Sequence, residues 1–237
     1  MDKSYYNLRP GLTLGRNYFV VEFLGSGWEG EVYKVEERRT GIIRAAKIFF
    51  KRHRPSESQL RKYAQKIYRL RNCPVITQYI HRDIARIGKE QADILVSDFV
   101  AGEKLSKFLA HQARKKLNFF EALHLLYALA AGVEQIHYLG EYHGDIHTDN
   151  ILVKRKGLGF AVYLIDFFDL GRSSKEKIQY DVYDLISVLY ELIGGAKGYS
   201  QANHQIRQII MGRKHSLLSR KFKNAGQLRL ALDNMEW

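Results

Sequence analysis

The chain changes character near residue 100, and that change constrains its fold more than any other feature. Before it, "YFVVEFL" (18–24), "EVYKVE" (31–36) and "IIRAAKIFF" (42–50) are rich in β-branched and aromatic residues and are separated by a glycine loop and an "ERRTG" turn. Further strand-like stretches fall at Val75–Ile80 and Asp93–Phe99. One helix interrupts them. Ser56 with Gln59 has the spacing of a capping box, and Leu60, Ala64, Ile67 and Tyr68 then recur at helical intervals.

After "VAGEKL" the pattern turns helical. Asn118 and Glu121 cap a long segment whose Ala122, Leu126, Leu129, Val133 and Ile136 form one apolar stripe. A hairpin follows ("ILV", a "KRKGLG" turn, "AVYLID"), and then "YDVYDLISVLYELIGG", a buried helix stopped by Gly194 and Gly195. Residues 196–237 are mostly helical and basic. The expectation is an α+β chain of two lobes: an antiparallel sheet with one helix over residues 1–98, a hinge at 99–103 and a helical lobe over 104–237.

Bulk properties narrow the function classes. A net charge of +13 points to an acidic partner such as a nucleotide, a nucleic acid or an anionic surface, or else to solvated basic faces. The basic run 51–71, with eight Lys or Arg and one Glu, is open to the same two readings. A single cysteine, Cys73, excludes an internal disulfide framework and a cysteine-rich zinc site. "MDKSYYNLRPG" has no apolar leader, and "LHLLYALAAGVEQI" is broken by His124 and Glu134 before it could span a membrane. A cytoplasmic location is expected.

Three groups of residues carry chemistry. "GSGWEGEV" places Gly25, Gly27 and Gly30 in a loop flanked by strands on both sides, whereas a dinucleotide-binding loop runs from strand into helix. Glycines there let backbone N–H groups approach phosphate oxygens. In "AAKIF", Lys47 stands in an otherwise apolar strand, where a charge needs a partner or a ligand. In "HGDIHTDN", Asp145 and Asn150 are five apart, and a hairpin then returns the chain to Asp166. Asn150 and Asp166 together suit magnesium, which takes few protein oxygens and completes its shell with phosphates. Asp145 is left to accept a proton from a hydroxyl. His143 and His147 are four apart, but Gly144 argues against a helix between them and no third zinc ligand is evident.

Taken in order, "GSGWEGEV", "AAKIF", "HGDIHTDN", "LIDFF" and "DVYDLISVLYEL" resemble the glycine loop, strand lysine, catalytic loop, D-F-G motif and long helix of a protein kinase of the bacterial Ser/Thr type. The resemblance implies ATP and magnesium (or manganese) as cofactors and a Ser/Thr protein as substrate. It implies that Lys47 holds the α- and β-phosphates, Asp145 is the base, Asn150 and Asp166 bind metal, and Asp181 and His143 support the catalytic loop. Gly25, Gly27, Gly30 and Val32 would cover the nucleotide. Asp98 to Val100 would face adenine, with Ser97 as a small gatekeeper and Glu103 near the ribose.

The sequence also departs from the pattern. Gly144 replaces the arginine that often reads a phosphorylated activation loop, which argues against that form of regulation. His147 replaces the usual lysine, and "HGDIHTDN" also resembles the aminoglycoside phosphotransferases. D-F-G is "DFF" (166–168), and only fifteen positions separate Asp166 from Asp181, too few for an ordinary activation segment. Glu57, the one acidic residue between Lys47 and Asp83, is the candidate partner of Lys47, although the register of "YRLRNCPVI" puts Tyr63 near that place. A small-molecule kinase and an ATP-binding pseudokinase acting as a binding module therefore stand as alternatives.

Overall fold

The computed structural model describes residues 5–157, 159–167, 169–214 and 221–235. It divides into two compact units, one up to Tyr68 together with Thr77–Val100, the other Arg69–Ile76 together with Ala101 onward.

The first unit is an antiparallel sheet of six strands: β1 (Thr13–Leu14), β2 (Tyr18–Ser26), β3 (Gly30–Glu37), β4 (Ile43–Phe49), β5 (Tyr79–Ile87) and β6 (Glu90–Asp98). Their order is β1-β2-β3-β4-β6-β5. Alternation buries Tyr18, Val20, Tyr33, Val35, Ala46, Ile48, Ile94 and Val96 in one cluster, as the two-residue period of a strand requires. The helix α1 (Glu57–Arg69) begins in the expected capping box. Gln59 Oε1 accepts the Ser56 N–H at 2.8 Å, and Ser56 Oγ accepts the Gln59 N–H at 3.3 Å.

The strand expected at Val75–Ile80 is displaced, because β5 begins only at Tyr79 and runs on to Ile87. Val75 and Ile76 have β-branched side chains but find their partners far along the chain, in the second unit. Val75 O accepts the Leu164 N–H at 2.7 Å, Ile76 forms an isolated parallel bridge with Leu164, and the Val75 side chain fills the space a Cβ would take at Gly132.

The second unit holds a three-stranded antiparallel sheet, β7 (Glu103–Lys104), β8 (Ile151–Lys156) and β9 (Gly159–Leu164). Among the described residues its α-helices include α2 (Leu105–His111), α3 (Phe119–Tyr138), α4 (Lys175–Leu192), α5 (Gly195–Gln201), α6 (His204–Ile210) and α7 (Ala225–Asp233). Asn118 Oδ1 caps α3 through the Glu121 N–H at 2.9 Å. The whole expected stripe of α3 is buried, against α4, α7 and β9. The helix α4 ends at Leu192 with Ile193 as its C-cap, and Gly194 follows in the left-handed region with φ +90°, a conformation glycine adopts without steric cost. Among the described residues no helix is long and apolar enough to cross a membrane.

Candidate active site

In the first unit, β2 and β3 are joined by Gly27, Trp28 and Glu29, and the Gly27 N–H donates to Gly30 O at 2.9 Å. The three glycines do different work. A Cβ on Gly25 or Gly27 would meet nothing within 4 Å, so the hairpin leaves open space beside its backbone there. A Cβ on Gly30 would run into the Ile48 carbonyl, so Gly30 lets β3 lie close on β4. Cross-strand register aligns Gly25 with Val32, Val32 with Lys47, and Lys47 with Leu95, which sets the lysine one strand from the glycine hairpin.

Lys47 Nζ forms an ion pair with Glu29 Oε2 at 2.6 Å, and both side chains are more than four-fifths buried. This partner lies upstream, at the hairpin tip, and corrects the expectation for Glu57. Glu57 sits in the first turn of α1 with its side chain 80% exposed and pairs with Arg82. Tyr63 packs edge-on against Tyr79 with ring centroids 5.9 Å apart. Ser97 stands between Ala45 and Tyr79 in the sheet. Asp98 pairs with Arg44, and its amide donates to Gln78 O at 2.9 Å. Val100 is the last residue of this unit, whereas Glu103 belongs to the second, in β7 opposite Val153 with Oε2 3.5 Å from His111 Nδ1.

In the second unit the loop between α3 and β8 carries Asp145, and α4 fixes it from below. Asp181 is fully buried and accepts the His143 N–H at 2.7 Å, the Gly144 N–H at 2.8 Å and His137 Nε2 at 3.0 Å. His143 is also fully buried. Its Nδ1 accepts the Asp145 N–H at 3.2 Å, which makes Nε2 the protonated nitrogen and lets it donate to Ile165 O at 3.0 Å. The ring meets Phe167 at 4.2 Å between centroids. A neutral imidazole thus ties the Asp145 segment to the residue before Asp166. Phe168 lies outside the described residues.

Asp145 presents a carboxylate with 65% side-chain exposure. Asn150 Nδ2 donates to its Oδ2 at 2.9 Å and to its main-chain O at 3.0 Å. His147 Nε2 lies 3.5 Å from the same Oδ2, while its Nδ1 accepts the Asp149 N–H at 3.3 Å. Asp149 is held in turn by Ser106 of α2, whose Oγ donates to it at 2.5 Å. Asp184, one turn beyond Asp181, accepts the Ile146 N–H at 3.2 Å. Burial pushes its carboxyl up to about 7 against the pull of that N–H, with the negative Asp181 and Asp145 adding to the rise.

Asn150 and Asp166 bracket the open end of the β8–β9 hairpin, where the Ile165 N–H donates to Asn150 O at 3.0 Å. Asp166 is a non-glycine residue at φ +70°, the kind of strained backbone that functional sites retain. Because Asn150 spends its side-chain Nδ2 on Asp145, its Oδ1 is the atom that could serve as a hard ligand. Among the described residues no three His, Cys, Asp or Glu side chains gather to hold a metal. The donor set fits magnesium, which needs few protein oxygens when phosphates supply the rest.

A model of the protein kinase domain matches residues 18–177. The chain is 23% identical over 240 residues to a calcium-dependent protein kinase 4 of Plasmodium falciparum, which covers 86% of this chain and 44% of that protein. It is 28% identical over 167 residues to the human dual specificity testis-specific protein kinase 1, covering 69% of this chain and 25% of that one. The chain thus spans less than half the length of these relatives. The kinase domain of Mycobacterium tuberculosis PknI superposes with a TM-score of 0.70 at 18% identity, covering 95% of this chain and 98% of that one. With the matched region running from β2 into α4 and taking in the glycine hairpin, the strand lysine and the catalytic loop, the chain belongs to the protein kinase domain family.

Proposed function

We propose that the chain is an ATP- and magnesium-dependent kinase that transfers the γ-phosphate to a Ser or Thr hydroxyl of a protein. The observation that carries this reading is the setting of Asp145, an exposed carboxylate aimed by Asn150 on one side and flanked by His147 on the other. Such a group accepts the proton of an incoming hydroxyl and orients it for attack. The open space at Gly25 and Gly27 lets phosphates lie close to the hairpin, Lys47 supplies a cation for them, and Asn150 and Asp166 supply the protein oxygens for a divalent ion. That ion, when bound, would neutralise charge on the transferring phosphate.

The test is transfer from γ-labelled ATP with magnesium or manganese, comparing the native chain with Asp145→Ala and offering a generic basic protein as acceptor. Label on protein, lost in the variant, is the expected result. Unchanged labelling by the variant would remove Asp145 from the reaction and with it the assignment.

A second reading, phosphorylation of a small molecule, is favoured by one feature: α4 begins at Lys175, nine residues after Asp166, which leaves little chain for a peptide platform. Turnover of aminoglycosides or metabolites without label on protein would move the assignment there. ATP-dependent thermal stabilisation without any transfer would identify a pseudokinase.

A further inference from the structure

The place an arginine side chain would take beside the catalytic aspartate is filled. Gly144 stands at φ +90°, and a Cβ there would lie 2.9 Å from Asp169 Cβ and 3.0 Å from the Tyr142 ring. Asp169 is gripped from three sides. The fully buried Tyr142 donates its hydroxyl proton to Asp169 Oδ1 at 2.6 Å. Lys177, in the first turn of α4, reaches the same hydroxyl at 2.6 Å and both carboxylate oxygens at 3.1 Å. The Gly171 N–H closes a turn onto Oδ1 at 3.1 Å. Burial pushes the Asp169 carboxyl up, yet Tyr142, Gly171 and Lys177 together outweigh it and hold the group below the usual carboxylate range.

These contacts join three functional segments. Asp169 lies three residues after Asp166, Tyr142 three before Asp145, and Lys177 four before Asp181. A carboxylate and an ammonium thus close the space beside Gly144 and hold these segments together through side chains of the chain itself.

We propose that Asp169, Lys177 and Tyr142 form a built-in latch that positions Asp145 and Asp166 for catalysis without phosphorylation of the chain. They are positioning residues and touch no substrate. The inference rests on the proposed function, so its test includes a readout that does not need turnover.

Lys177→Met removes the ammonium at similar length, and Asp169→Asn removes the carboxylate at constant shape, so each covers for a folding failure of the other. In both variants, amide exchange at Gly144 and Gly171 is expected to quicken by roughly tenfold or more as the segment opens locally. The kcat for transfer is expected to fall by at least about tenfold with the KM for ATP within roughly twofold, the pattern of a lost transition-state arrangement. Lys177→Arg is expected to recover much of that kcat, because a guanidinium still pairs with a carboxylate. Phosphatase treatment of the native chain is expected to leave kcat unchanged. Native-like exchange at Gly144 and Gly171 in both variants overturns the latch, as does an activity that phosphatase abolishes. A native chain that transfers nothing overturns the kinase reading instead, and the exchange rates then decide the latch by themselves.

Discussion

Lys47 and Glu29 close an ion pair at 2.6 Å, a carboxylate from the tip of the glycine hairpin meeting the lysine of the neighbouring strand. A carboxylate on that ammonium competes with any phosphate that needs it. Glu29→Gln is therefore expected to tighten ATP binding. With a pair contribution of about 1 kcal/mol, the gain is roughly fivefold in Kd. Calorimetric titration of the two proteins measures it, and weaker binding by the variant would mean that Glu29 assists the nucleotide.

Gly30 and Gly27 separate two uses of glycine in one hairpin. Gly30→Ala forces a methyl onto the Ile48 carbonyl and is expected to cost about 2 kcal/mol of stability, the scale of overpacking. Gly27→Ala faces open space and is expected to cost less than about 1 kcal/mol. Urea denaturation of the two variants checks the ranking.

Asp181→Ala strips the acceptor from the His143 and Gly144 amides and from His137 at once. Burial leaves those donors without water, and the expected loss is about 3 kcal/mol or more. Asp181→Asn keeps the shape and is expected to lose less. Equal stability of Asp181→Ala and the native chain in chemical denaturation would contradict the brace.

Asp184 gives a pH dependence of definite sign. Its folded carboxyl keeps a proton up to about 7, while the unfolded chain releases it near the ordinary value of 3.8. Between those limits the folded state binds more protons, so this group's contribution to stability falls as pH rises, and it levels off above about 7. Asp184→Asn is expected to flatten that part of the profile. Denaturation midpoints at about pH 5 and about pH 8 compare the two slopes.

What can be read from the chain is local. The caps at Ser56 and Asn118, the stop at Gly194 and the β8–β9 hairpin each depend on residues a few positions apart, and each forms, although the hairpin strands pair as far as Lys156 and Gly159, inside the expected turn. The grouping of Asp145 with Asn150 follows from the same short range. Long-range relations are hidden. Val75 and Ile76 have strand-forming side chains, yet their partner is Leu164, so propensity predicts a strand where a crossing segment lies. Spacing along the chain points downstream, to α1, for the Lys47 partner, although a tight β2–β3 turn places position 29 near position 50, where the Phe50 N–H donates to Glu29 O at 2.8 Å. Counting register back from that turn is the available signal. The latch of Asp169, Lys177 and Tyr142 has no such signal, since it joins a loop, a helix and a segment 27 residues upstream.

The segment Arg69–Ile76 makes the two units inseparable by a single cut. A fragment ending at residue 100 would carry Val75 and Ile76 away from the Leu164 backbone and the Gly132 surface that bury them. The complementary fragment, starting at 101, would bare that surface and release Glu141 from Arg69. Each half expressed alone would expose apolar area, and recombination between related chains would have to carry these eight residues together with the distant helix and strand they serve.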